Sequence, residues 1–288
     1  MTVQKAGSAV YIYLLSVLVF SIMDTSAKYL SGQIPLPQIL VMRALFGFIP
    51  VLLLLVLEQR KQNNFTLKSN RFWWQVARGI SVALIVATFF AALSLLPFAD
   101  VVGITLIAPL FMMISGVVFL GESFRLMNLF WCILGLLGVL LIIRPGGEMH
   151  SIIGVFLAIL SALLYALSAT LTRALSAYDS SAITSLYSSV ILSLLVLTWL
   201  AFEPWQPMSD LQFSIGVLLG IAGGLGNILL VVAFSLGSVS RLGVLDYTAY
   251  IWALVFGYLL FAEQPHSWAL VGTCLVVYAG YRVTFDRQ

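Results

Sequence analysis

Residues 101–122 read VVGITLIAPLFMMISGVVFLGE, and residues 242–263 read LGVLDYTAYIWALVFGYLLFAE. Stepping on by 141 positions sets Ala108 on Ala249, Phe111 on Trp252, Gly116 on Gly257 and Glu122 on Glu263. Each copy is a long apolar stretch that closes on a carboxylate. Self-similarity at this spacing constrains the fold more than any single motif, because two copies of one unit must pack around a shared axis.

The solvent around those copies follows from the charge content. Only 9% of the 288 residues are charged while 61% are hydrophobic, and the mean hydropathy is +1.08. Soluble domains carry about 25% charged residues, and a water-exposed surface cannot be built from so few. Hydrocarbon must therefore contact most of the surface. The first apolar run starts near Ser8, is too long for a signal h-region and ends in DTSAKYL without a small-residue cleavage site, so it is expected to stay as an anchor. Cys132 and Cys274 each lie inside an apolar run and read as small apolar residues, with a disulfide conceivable only if their helices touch. The net charge of +3 includes no basic block dense enough for nucleic acid.

A spanning helix needs about 20 mostly apolar residues. Cutting at charges, prolines and polar clusters gives ten segments: 8–30, 35–57, 73–95, 99–120, 126–143, 151–175, 181–202, 212–235, 240–262 and 267–283. Short connections make neighbours antiparallel, and only 58–71 is a substantial hydrophilic loop. The lysine and arginine bias sets orientation. With the N-terminus inside, Lys5, Arg60, Lys61, Lys68, Arg71, Arg125, Arg173, Arg241, Arg282 and Arg287 face the cytoplasm, against Arg144 and Lys28 outside. Both termini are then cytoplasmic, and Trp73, Trp74, Trp205 and Trp268 fall at segment ends as interfacial aromatics should.

Five spans per half force the second half to enter from the opposite side. The expected architecture is an all-α membrane protein of ten helices, built from two inverted-topology units at 8–145 and 151–283. The first helices of the units agree, with Phe20, Thr25 and Lys28 matching Tyr165, Thr170 and Arg173.

The run 77–122, ARGISVALIVATFFAALSLLPFADVVGITLIAPLFMMISGVVFLGE, resembles the signature of EamA-type transporters of the drug/metabolite transporter superfamily. Matching features are Arg78-Gly79 at its start, the Leu96-Pro97 and Ala99 hairpin, Pro109 in mid-helix and the terminal Gly121-Glu122; DTSAKYL in the first helix fits as well. The resemblance covers essentially the whole chain. It implies ten helices around a central cavity lined by the first, third, fourth, sixth, eighth and ninth, with alternating access by rocking of the halves.

Charges within a bilayer cost about 2.5–3.5 kcal/mol each on insertion scales, so Asp24, Arg43, Arg78 and Asp246 each need a reason. Asp24 lies roughly 9 Å from the outer end of its helix and Arg43 roughly 12 Å, so the two can meet, with Lys28 one turn beyond Asp24. An Asp24–Arg43 or Asp24–Lys28 pair reads either as a structural pair or outer latch, or as a substrate or proton site. Arg78 and Asp246 match in depth from the inner side and form a candidate inner pair, unless Arg78 snorkels to the headgroups. In the ninth helix Asp246 and Tyr250 share a face at i, i+4, a pairing that can hold a cationic group and stack on a ring. Tyr165 and Phe20 add candidate aromatic walls, and Asn227 is a lone amide beside glycines 220, 223, 224 and 226, which allow close helix approach or bending. Pro109 is a candidate bend.

An enzyme would need clustered His, Cys, Asp or Glu at ligand spacing. His150 and His266 lie in short outer loops, and no HExxH, DDxxD, GxSxG or Walker pattern is present. No metal or cofactor is expected. A channel would show a filter or polar ring. The reading is a secondary transporter of a small organic metabolite in the cytoplasmic membrane, working as a monomer or homodimer with proton coupling open to it. Export of an amino acid or related compound is the first expectation, uptake of riboflavin or S-adenosylmethionine the second, and a non-transporting membrane enzyme the last.

Overall fold

The computed structural model describes residues 3–62, 67–123, 126–143, 151–200 and 205–262, with 271, 272, 274, 275, 278, 279 and 282. In order they form α1 (Val3–Ser31), α2 (Leu36–Gln62), α3 (Phe72–Leu95), α4 (Phe98–Thr105), α5 (Ala108–Leu120), α6 (Leu126–Ile143), α7 (Ile152–Leu175), α8 (Ser181–Leu200), α9 (Asp210–Leu236), α10 (Val239–Gly243), a 3-10 turn (Val244–Tyr247) and α11 (Thr248–Phe261). No strand occurs among the described residues. An α-helix pairs its backbone polar groups internally, which hydrocarbon requires. Among the described residues eight stretches are long and apolar enough to cross a membrane, and 129–138 is a shorter apolar stretch. Of the expected tenth helix, 267–283, only 271, 272, 274, 275, 278, 279 and 282 are described, all helical, while Glu263, Trp268, His150, His266, Arg144, Arg125 and Arg287 fall outside the described residues. Leu53, Phe119, Ile152 and Leu259 stand exposed, as lipid-facing side chains should. Trp73, Trp74 and Trp205 are exposed near segment ends. Cys132 is buried, Cys274 exposed, and both are free thiols.

The fourth and ninth expected helices are not continuous. α4 stops at Thr105 and α5 starts at Ala108, with Pro109 in its first turn. Proline has no N–H to give the carbonyl four residues back, and its ring crowds that carbonyl. The bend expected at Pro109 is therefore an interruption just before it. In the other half the matching segment, 240–262, has no proline, yet 244–247 tightens into 3-10 winding. The far ends match too. Gly121 caps α5 at φ 63° and Ala262 caps α11 at φ 55°, their N–H groups returning to the carbonyls of Gly116 and Gly257.

The main helix pairings are α1 with α9, α3 with α7, and α2 with α8 and α9. α9 runs unbroken, so its glycines serve close approach. A Cβ on Gly220 would stand 2.6 Å from the Met42 carbonyl, and one on Gly223 would collide with the Arg43 guanidinium. α1 starts at the face where α5, α7 and α9 end, termed here the proximal face. Ala9 lies beside Gly237, Glu122 reaches Val239, and Arg173 Nη1 donates to the Phe234 and Ser235 carbonyls at 3.1 and 2.7 Å. At the distal face Lys28 Nζ donates to the Leu93 and Leu96 carbonyls at 2.9 Å each. Each cation satisfies the last carbonyls of a neighbouring helix, where the helix dipole favours positive charge.

Candidate functional site

α1, α2, α3, α4, α5, α7, α9, the 3-10 turn and α11 all contribute to one cavity enclosing ≈ 1070 Å³ of space outside atoms, its open part included. The walls are mostly apolar, from Phe20, Val82, Val86, Phe89, Phe90 and Leu230 among others. The charged lining groups are Asp24, Arg43 and Asp246, and Asn227 and Tyr165 add an amide and a phenol. Phe20, Tyr165, Asn227, Asp246, Asp24 and Arg43, all picked out from sequence, are thus brought together. Tyr250, Lys28 and Arg78 do not line the cavity.

Asp246 sits in the 3-10 turn. The Tyr13 hydroxyl donates to its Oδ1 at 2.8 Å and the Tyr165 hydroxyl at 3.4 Å, with the two phenol oxygens 3.2 Å apart. Its Oδ2 is buried and has no hydrogen-bond partner among the described residues. The expected sharing of one face by Asp246 and Tyr250 does not hold. A 3-10 turn advances three residues per turn against 3.6 for α, so the i, i+4 register is lost across Tyr247, and Tyr250 is buried in the apolar core with Ala253 and Val244.

Neither expected ion pair of Asp24 is recorded as a direct contact among the described residues. Lys28 Nζ donates to the Leu93 and Leu96 carbonyls. Arg43 Nη2 donates to the Gly223 carbonyl at 2.8 Å and Nε lies 3.1 Å from Met23 Sδ. Asp24 interacts with Arg43 electrostatically across the cavity wall. Among the described residues no hydrogen bond to the Asp24 carboxylate is recorded, and it is half-buried, facing the cavity.

Arg78 neither snorkels nor pairs with Asp246. It is 1% exposed. Nε donates to Thr172 Oγ1 at 2.6 Å, Nη1 to the Thr184 carbonyl at 3.1 Å and Ser188 Oγ at 2.8 Å, and Nη2 to Asn227 Oδ1 at 3.2 Å. All four acceptors are neutral. Beyond Arg78 the polar chain continues through Gln75, whose Nε2 donates to Thr184 Oγ1 at 3.1 Å and to Asp179 Oδ2 at 2.8 Å near the proximal face. The cavity is thereby linked to the α7–α8 connection.

Tyr13 escaped the sequence reading, although a signal was there. Tyr13, Val17, Phe20 and Asp24 are spaced four, three and four apart, which is one face of a helix, and Val17, Phe20 and Asp24 line the cavity. Thr172, Thr184 and Ser188, which hold Arg78, gave no signal beyond what any hydroxyl in an apolar helix gives.

A family model described as the EamA-like transporter family matches residues 7–144 and again 152–284. A pseudopaline exporter from Pseudomonas aeruginosa is 24% identical, over 97% of this chain and 96% of its own. An S-adenosylmethionine uptake transporter from Rickettsia felis is also 24% identical, over 96% of this chain and 92% of its own. Among solved structures, a protein crystal structure superposes with a TM-score of 0.80 at 20% identity, over 97% of both chains, which shows a shared fold.

Proposed function

The chain belongs to the EamA-like transporter family, within the drug/metabolite transporter superfamily, and from that premise we propose that it is a secondary active transporter carrying a small organic metabolite by alternating access. The observation that carries this reading is the cavity itself. It is apolar on most sides, converges helices from both halves of the chain, and presents Asp24, Arg43 and Asp246 where lipid-facing charge would be costly. Asp246, Tyr165, Asn227 and Phe20 bind the substrate. Asp24 and Arg43 act as gating charges, and either carboxyl group could exchange a proton as cargo moves.

The layout that serves this mechanism is ten spans in two inverted units, 8–145 and 151–283. Supporting it are the separate family matches to each half and the exchanged pairings of α1 with α9 and α3 with α7. Lys28 and Arg173 add the same helix-end contact at opposite faces. The lysine and arginine bias supports a cytoplasmic-membrane location with both termini inside. Rocking of one unit against the other around the cavity would open it alternately to each side.

The cargo we favour is an amino acid or related compound moving outward, supported by the relative named as an exporter. The second reading is uptake of a ring-bearing metabolite such as riboflavin or S-adenosylmethionine. It draws on the Rickettsia relative and on the Phe20, Phe89 and Phe90 walls. Purified protein in liposomes, assayed for flux of labelled amino acids, riboflavin and S-adenosylmethionine with and without a pH gradient, separates these. Folded protein that moves none of these solutes would sink the carrier reading.

A further inference from the structure

The Asn227–Arg78 contact bears on the chemistry of the cargo. A side-chain amide can point either end outward, but Arg78 carries only donors. With Nη2 3.2 Å away, the amide end facing Arg78 is the oxygen. Asn227 lines the cavity, and among the described residues no hydrogen bond from its Nδ2 is recorded. Arg78 is also a fully buried cation held by neutral acceptors alone, with no carboxylate among its recorded partners. In a low-dielectric interior such a charge is felt over several ångströms, and an anion beside Asn227 would sit within its reach. Among the described lining residues the other charged groups are two carboxyl groups against one guanidinium, Asp24 and Asp246 against Arg43. Of these, among the described residues, Asp24 lacks a recorded hydrogen bond, Asp246 Oδ2 is an unused acceptor, and Arg43 turns Nη2 to the Gly223 carbonyl and Nε to Met23 Sδ.

We infer that Asn227, held in one orientation by Arg78, is the anion-binding group of the cavity, and that the cavity takes a zwitterion. A substrate carboxylate accepts from Asn227 Nδ2, and a cationic group of the same molecule lies against Asp24 and Asp246. Arg78 is the positioning residue, acting through Asn227 without touching substrate. A purely anionic cargo would meet two carboxyl groups, and a purely cationic one would leave Arg78 without a counter-charge. The inference rests on the transporter reading above and narrows its substrate class.

The test is calorimetric titration of the full chain in detergent with matched probes: L-phenylalanine against phenethylamine and L-phenylalaninamide, and S-adenosylmethionine against its decarboxylated form. In at least one series the carboxylate-bearing parent should bind tenfold tighter or more. This comparison uses the native protein and needs no variant to fold. Asn227→Asp keeps an acceptor for Arg78 but replaces the donor facing the cavity, so the parent should lose at least tenfold while its carboxylate-free analogue changes less than threefold. Arg78→Lys should lower the parent-to-analogue ratio by releasing the amide. Analogues that bind as well as their parents, or an Asn227→Asp protein that keeps the native preference, would overturn the inference. Liposome flux distinguishes the two failures. Transport of carboxylate-free analogues at the parents' rate removes the zwitterion site and leaves the carrier, whereas absence of all flux removes the carrier.

Discussion

The Tyr13 hydroxyl donates a 2.8 Å hydrogen bond to Asp246 Oδ1, joining α1 to the 3-10 turn of the broken ninth segment. The contact is buried, and the Phe234 ring packs edge-on against Tyr13 with centroids 5.4 Å apart. A carboxyl group in a low-dielectric wall needs donors, and here two phenols supply them while leaving Oδ2 unused. Asp246 is thereby fixed in position with one buried oxygen that has no hydrogen-bond partner among the described residues. A 3-10 turn suits this use, because its poorer hydrogen bonding makes the segment easier to rearrange than continuous helix.

Tyr13→Phe removes the shorter of the two phenol bonds and leaves an acceptor buried. Hydrogen bonds to charged groups contribute about 1.5–3 kcal/mol, so the thermal midpoint in detergent should fall. Tyr165→Phe removes only the 3.4 Å contact and should cost less. Flux of the transported solute should drop in both. A Tyr13→Phe protein with the native midpoint and rate would show that the bond holds nothing in place.

Glu122 closes the proximal end between α5 and α10. Its carboxylate accepts from Val239 N at 2.9 Å, Ser240 N at 3.1 Å and Ser240 Oγ at 2.5 Å. These are first-turn amides of α10, and Ser238 at the N-cap makes no side-chain cap of its own. Loss of a helix cap costs about 0.5–2 kcal/mol, and a carboxylate gains further from the helix dipole. Glu122→Ala should therefore destabilise by an amount near the top of that range and lower the midpoint accordingly, and Glu122→Gln should do so by less. Equal midpoints for the Glu122→Ala and native proteins, measured side by side, would refute the capping role.

Much of this arrangement was legible in the chain. Apolar length and helix-end charges located α1, α2, α3, α7, α8 and α9 to within a few residues, because the bilayer fixes how long an apolar helix must be. Charge cost in lipid pointed to Asp24, Arg43 and Asp246, and all three line the cavity. The pairings were not legible. Depth along a helix can be counted from sequence, but the direction a side chain faces depends on local winding. Tightening at 244–247 therefore separated Tyr250 from Asp246. Arg78 was misplaced for a related reason. Its partners Thr172, Thr184, Ser188 and Asn227 come from three other helices, and no spacing within one segment can announce a cluster assembled from four.

Arg78 also gives a prediction about side-chain shape. The planar guanidinium serves four acceptors in different directions, and an ammonium presents three donors from one point. Arg78→Lys keeps the charge but leaves at least one buried acceptor unpaired, at about 1–3 kcal/mol. The midpoint should fall despite the conserved charge. Arg78→Met, which keeps length and removes all donors, should fall further. If both variants keep the native midpoint, charge and geometry at this position are irrelevant to stability.

Gly121 and Ala262 occupy matched helix ends in the same left-handed conformation, at φ 63° and 55°. Glycine adopts that region without strain, whereas an L-residue with a Cβ loses about 1–2 kcal/mol there. Ala262→Gly relieves the strain but also loosens the unfolded chain, which returns about 0.4–1 kcal/mol. The net should be a stabilisation of about 0.5–1 kcal/mol, seen as a raised midpoint. Gly121→Ala runs the other way and should destabilise, since there is open space around a Cβ at Gly121 and backbone conformation is the only obstacle. The two substitutions thus test one physical cause with opposite signs. Should both lower the midpoint, the left-handed cap at Ala262 is not where that helix end stores strain.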